Sequence, residues 1–98
     1  MVALKFEWDV HKAISNERKH RVTFEEASTV LSDFLSITIP DPLHPGDEER
    51  LVTIGQSDRR RTLVVVHTER GDVIRLISAR PANAHERKKY EENYGQSE

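Results

Sequence analysis

Apolar and polar residues alternate through Leu4-Lys5-Phe6-Glu7-Trp8, which predicts a short strand with Leu4, Phe6 and Trp8 on one face. Asp9 follows as an N-cap. Val10, Ala13 and Ile14 then mark a narrow apolar stripe on a helix running to about Lys19, with Lys12, Asn16 and Lys19 on another face. Thr23 and Glu26 have the spacing of a capping box, and Phe24, Ala27, Ser28 and Leu31 continue it with helical periodicity. The turn between these two helices is short and calls for a left-handed residue, a role that costs Arg21 about 1 kcal/mol. Four runs rich in β-branched residues, 35–39, 50–56, 62–68 and 73–80, predict strands, the last two joined by Gly71-Asp72. Asn83 with Glu86 opens a final helix to about Tyr94, on which Tyr90 and Tyr94 share a face and nearly everything else is charged. So polar a helix is expected to bury little against its own domain, and a partner is expected to cover or displace it.

The order β-α-α-β-β-β-β-α predicts one α+β domain over residues 1–98: a largely antiparallel sheet packed by two N-terminal helices, with a C-terminal helix. A chain of 98 residues without cysteine has no disulfides, thiolate zinc sites or cysteine nucleophiles, which suits a cytoplasmic protein. No apolar run approaches the ~18 residues of a membrane span, and the first residues lack the pattern of a signal peptide. The net charge of −2 is unevenly spread: residues 1–49 carry −5, residues 50–90 carry +6 and residues 91–98 carry −3. The basic charge therefore sits with the predicted hairpins, where a positive face would gather phosphates.

Arginines within predicted strands give up hydration unless an anion meets them. With an even turn at Gly71-Asp72, His67 shares a face with Arg80, and an even loop between the two preceding strands adds Arg50. Arg75 then faces the other way and joins them only around a strand end or across a bulge. A histidine among arginines, with no metal motif, suits metal-independent cleavage of RNA, in which the 2′-hydroxyl attacks the neighbouring phosphorus. The expected catalytic set is His67 as acid or base, Arg50, Arg75 and Arg80 on the phosphate, and Glu49 as a second candidate base. Each has a plainer reading: His67 as a hydrogen-bonded structural residue, Arg75 and Arg80 as ion-pair partners of Glu49, Glu69 or Asp72. No H-E-x-x-H, zinc-finger spacing, phosphate-binding glycine loop or G-x-S-x-G occurs, so metalloprotease, nucleotide-binding and serine-hydrolase readings fall away. No helix with clustered arginine or lysine has the character of a DNA-recognition helix.

Phe6-Glu7-Trp8-Asp9-x-x-Lys12-x-x-x-Asn16-x-x-Lys19-His20, followed by Val22-Thr23-Phe24-Glu25-Glu26-Ala27, resembles the opening of the BrnT family of bacterial type II toxins. Asp47-Glu48-Glu49-Arg50, Ile54-Gly55, Val65-Val66-x-Thr68-x-Arg70 and Ile74-Arg75-x-Ile77-Ser78-Ala79-Arg80, then Glu86 and Tyr90, extend the likeness over about residues 5–92. The resemblance implies a RelE-like ribonuclease toxin that blocks translation by cutting RNA and needs no cofactor. It implies a BrnA-type antitoxin with a ribbon-helix-helix domain, contact with operator DNA only through that antitoxin, and repression of the shared operon. Lys12, Lys19, His20 and Arg70 are the expected substrate-binding residues. Arg21 stands where the family usually has Gly, and Pro81 where relatives often have Lys. A catalytically silent BrnT-like module that only complexes with and modulates a DNA-binding antitoxin is the alternative.

Overall fold

A computed structural model describes residues 4–46 and 49–96, with side chains through Asn93 in the last helix. Asp47 and Glu48 of the acidic motif, and the side chain of Tyr94, lie outside the described residues.

The elements are β1 (Lys5–Glu7), α1 (Val10–His20), α2 (Phe24–Val30), β2 (Ile37–Pro40), β3 (Arg50–Gln56), β4 (Thr62–Arg70), β5 (Val73–Pro81) and α3 (Ala84–Gln96). They form an α+β fold around one five-stranded sheet in the order β1-β5-β4-β3-β2. Strands β2 to β5 are consecutive antiparallel neighbours, as the short connections require. β1 adds to the edge parallel to β5, pairing Lys5 to Glu7 with Val73 to Arg75. Three alternating residues carry no signal for which strand they will join, so the sequence left this pairing unread.

Local chemistry sets the helix ends. Asp9 accepts from the Lys12 amide at 3.0 Å and Thr23 from the Glu26 amide at 3.1 Å, each satisfying an otherwise orphaned donor. Arg21 closes α1 in the left-handed conformation, φ 58° and ψ 37°. Asn83 and Glu86 complete a reciprocal box at the start of α3, with bonds of 2.9 and 2.8 Å. In the Thr23 box, however, the Glu26 side chain turns away. It is buried and receives Arg61 Nε at 2.9 Å and the Ser57 hydroxyl at 2.7 Å, so Arg61 chiefly holds its carboxyl below the usual range. Arg61 also donates to the Arg21 carbonyl at 3.0 Å, tying the β3–β4 loop to the turn between α1 and α2.

The sheet buries both faces. On one, Val22, Phe24, Ala27 and Val30 pack on Leu63, Val65, Ile74, Leu76 and Ala79, with Phe6 and Trp8 at the margin. Trp8 meets Phe24 edge to face at 5.8 Å between ring centres. On the other, Tyr90 of α3 packs with Val52, Ile54, Val64 and Ala82. This polar helix is therefore held to its own sheet. Tyr90 donates to Asp33 at 2.6 Å and Asn93 to the Leu35 carbonyl at 3.0 Å. Gly55 permits the close approach of α2, since a Cβ there would sit 2.9 Å from Ser36 Cβ and 3.0 Å from Val30 Cγ1.

Candidate functional site

The strand register separates His67 from the arginines expected beside it. The turn at Gly71-Asp72 has two residues, but the ladder slips between Val66 and His67, so Val66 faces Ser78 while His67 faces Leu76. Ile77 is the extra residue, and it moves Ser78 and Arg80 to the opposite face. The β3–β4 loop holds an odd five residues, with Arg60 at φ 62°, and this places Arg50 opposite Thr68 rather than His67. Arg50, Arg75 and Arg80 therefore share a face, and His67 lies on the other.

His67 is 0% exposed. Its Nε2 is hydrogen-bonded to Thr53 Oγ1 at 2.7 Å, and Thr53 is bonded in turn to Thr38 at 2.8 Å. Burial pushes its pKa down, against a smaller upward pull from Glu69. A ring so enclosed is out of reach of RNA, and the expectation of His67 as acid or base is corrected to that of a neutral core histidine.

The three arginines are brought together, but each is met by a carboxylate of this chain. Arg50 Nε donates to Asp41 at 3.3 Å, Arg75 lies 3.4 Å from Glu7, and Arg80 makes two bonds of 2.8 Å to Glu86. Glu86 raises the already high pKa of Arg80, and Arg80 lowers that of Glu86. Arg75 and Arg80 thus meet Glu7 and Glu86 where Glu69 or Asp72 was anticipated. Glu49 is exposed in the turn before β3, and Arg70 is exposed at the end of β4, away from the helices' core.

A different group of cations remains open. β1 pairs only with the first three residues of β5, so the later part of that edge is left to α1. Asn16 fills it: its Nδ2 donates to the Ala79 carbonyl at 2.8 Å and the Val22 carbonyl at 3.0 Å, and its Oδ1 accepts from the Ala79 amide at 3.0 Å. The side-chain amide thus stands in for a neighbouring strand. Beside it runs a cleft of about 590 Å³, walled by Lys12, Ser15, Lys19 and His20 of α1, with Arg18 at its rim and Ile77 and Ser78 on the strand side. Among the described residues, no carboxylate lines it. Among the described residues, Lys12, Arg18, Lys19 and His20 form no ion pair.

The residues expected to bind substrate thus divide. Lys12, Lys19 and His20 meet in one cleft, and Arg70 lies elsewhere. Ser15 follows Lys12 by one helical turn and was legible in principle, and Arg18 adjoins Lys19 in the chain. The places of Ile77 and Ser78 depend on the bulge, for which the sequence carries no signal.

The fold is thus a mostly antiparallel sheet with helices on both faces and a cationic cleft along one strand edge, an arrangement electrostatically suited to an anionic polymer. The model of the BrnT ribonuclease toxin of type II toxin-antitoxin systems matches residues 8–86, and the chain belongs to this family. Its fold is similar to the crystal structure of the Brucella abortus ribonuclease toxin BrnT, with a TM-score of 0.64 and 25% sequence identity over 83% of this chain and 99% of that one. Among curated proteins, none matches. No helix among the described residues is long and apolar enough to cross a membrane.

Proposed function

We propose that this chain is the toxin of a type II pair and cleaves RNA without a metal ion in the cleft between α1 and β5, so inhibiting translation. The observation that carries the reading is the set Lys12, Arg18, Lys19 and His20, gathered on one cleft whose lining, among the described residues, holds no carboxylate. A phosphodiester entering there meets cations that need not first release an internal partner. In the reaction the 2′-hydroxyl oxygen bonds to phosphorus and the 5′-oxygen leaves. His20, on the cleft wall, takes the proton from the 2′-hydroxyl and returns it to the leaving 5′-oxygen, and proton transfer by a positioned side chain is worth roughly 10²–10⁴-fold. Lys12, Lys19 and Arg18 offset the charge that builds on the phosphorane oxygens. Arg75 and Arg80 share the face of Ser78 on β5, and Arg50 stands two strands further across, on β3. Glu49 is kept as a second candidate base.

The proposed partner is a ribbon-helix-helix antitoxin that covers the toxin and, in complex with it, represses their operon. Support comes from the family, which is that of type II systems. The test is induced expression without an antitoxin, scored for growth and intact RNA, with purified protein assayed in excess chelator. Arrest and cleavage that survive chelation and vanish in the Lys19→Ala, His20→Gln double variant are expected. Arrest unchanged in that variant but abolished in Arg75→Ala, Arg80→Ala moves the site to the sheet face. Normal growth with soluble wild-type protein returns the silent binding module.

A further inference from the structure

The cleft is more than a row of cations. Its strand side presents the aliphatic side chain of Ile77, and the lysines opposite bring methylene stems as well as charge. Two hydroxyls, Ser15 on the helix and Ser78 on the strand, have no hydrogen-bond partner among the described residues. Phosphate needs cations and donors but gains nothing from an apolar floor. A flat heterocycle with polar edges uses all three features at once.

Resting on the reading of this cleft as the RNA site, we infer that it is a subsite for one unpaired nucleobase. Ile77 packs on the face of the base, Ser15 and Ser78 bond its edge, and Lys12 and Lys19 hold the flanking phosphates. The bulge is what makes the subsite. Ile77 has no Cα partner on β4, and the slip that frees it also turns Ser78 to the face of Arg75 and Arg80. Asn16 keeps the two walls in register through its three bonds, so the subsite exists before the ligand arrives. The substrate class follows: a base stacked and paired in a duplex has no free face, so single-stranded RNA is bound and double-stranded RNA is not.

Equilibrium binding of a short 2′-fluoro oligoribonucleotide, which lacks the nucleophilic hydroxyl and stays intact, tests this by fluorescence anisotropy. Two further ligands share its sequence, a set with one abasic position moved along the strand and a duplex, and the intact strand is also titrated in raised salt. One abasic position is expected to weaken binding about tenfold, in keeping with the ~1–3 kcal/mol that a stacked base contributes. Ile77→Ala and, separately, Ser78→Ala are expected to bring the intact strand toward the abasic value while leaving the abasic strand's affinity unchanged. Should Ile77→Ala fail to fold, Ser78→Ala carries the comparison, since its side chain is not part of either core cluster. Binding that depends on Lys12 and Lys19 and on salt but ignores every abasic position would overturn the base subsite and leave the RNA cleft standing. Full binding by a Lys12→Ala, Lys19→Ala variant would overturn both. Equal affinity for the duplex would refute the single-strand assignment.

Discussion

Asn16 is the residue on which the cleft most depends, and replacing it gives a prediction with a definite size. Asn16→Ala deletes three hydrogen bonds of 2.8 to 3.0 Å and leaves the Ala79 amide, the Ala79 carbonyl and the Val22 carbonyl without that partner. At about 1 kcal/mol for each lost bond, and with part of the larger penalty for buried unpaired groups, the cost is roughly 3–5 kcal/mol. A small domain has only about 5–15 kcal/mol in total. Urea unfolding followed by Trp8, the one tryptophan and a neighbour of Phe24 in the core, measures it.

Asn16→Asp refines the test, because it keeps the acceptor for the Ala79 amide and loses the donors to both carbonyls. When ionised, the new carboxylate faces two carbonyl oxygens in a buried position, which raises its pKa above the unfolded value of about 3.9. Between those two pKa values the folded state binds the extra proton. The variant's deficit against wild type is therefore smallest near pH 4 and grows as pH rises through the folded pKa, the reverse of ordinary acid denaturation. A loss under 1 kcal/mol in Asn16→Ala, or a deficit in Asn16→Asp that does not change with pH, would refute the account of how α1 is held.

Because burial depresses the His67 pKa, the unfolded chain takes up a proton below about pH 6.5 that the folded chain refuses; stability is whole above that pH and declines as pH falls toward the folded pKa. His67→Gln is expected to keep growth arrest and to show a smaller drop in urea midpoint between pH 7.5 and 5.5 than wild type. Thr68 Oγ1 is buried without a hydrogen-bond partner among the described residues, so Thr68→Val should raise stability by about 1 kcal/mol, read from the same urea midpoints. Arg21 occupies a left-handed position, φ 58°, with its carbonyl rather than its side chain bonded to Arg61; Arg21→Gly should gain about 1 kcal/mol and raise Tm by roughly 4–8 °C in a scanning calorimeter.

Much of the fold was written in local pattern. Asp9, Thr23 and Asn83 cap the three helices as their side chains and spacing predict, and every strand run forms a strand. Asn16, Lys12 and Lys19 share the helix face assigned to them. What could not be read was parity. A single bulged residue at Ile77 and a loop of five rather than an even number decide which strand residues face each other, and neither leaves a mark in composition. The same two features exclude His67 from the arginine face. The reach of Asn16 across 63 positions to Ala79 is likewise a tertiary fact without a local signal.

The arginines also show why charge in a strand is an uncertain guide to a site. An arginine on a sheet must find an anion, and here the chain supplies each one: Asp41 to Arg50, Glu7 to Arg75, Glu86 to Arg80. Those pairs link the sheet to the loop after β2, to the edge strand and to α3, so the planar guanidinium adds a side-chain fastening to the backbone and apolar contacts already there. Lysines on a solvated helix carry no such debt. They keep their hydration when no partner is near and give it up when a phosphate arrives, and binding then scales with the number of cations left free rather than the number present. By that measure the acidic residues are as informative as the basic ones: where they sit marks the structural arginines, and among the described residues the cleft walled by Lys12, Lys19 and His20, from whose lining even Glu17 of the same helix is turned away, is the surface left for RNA.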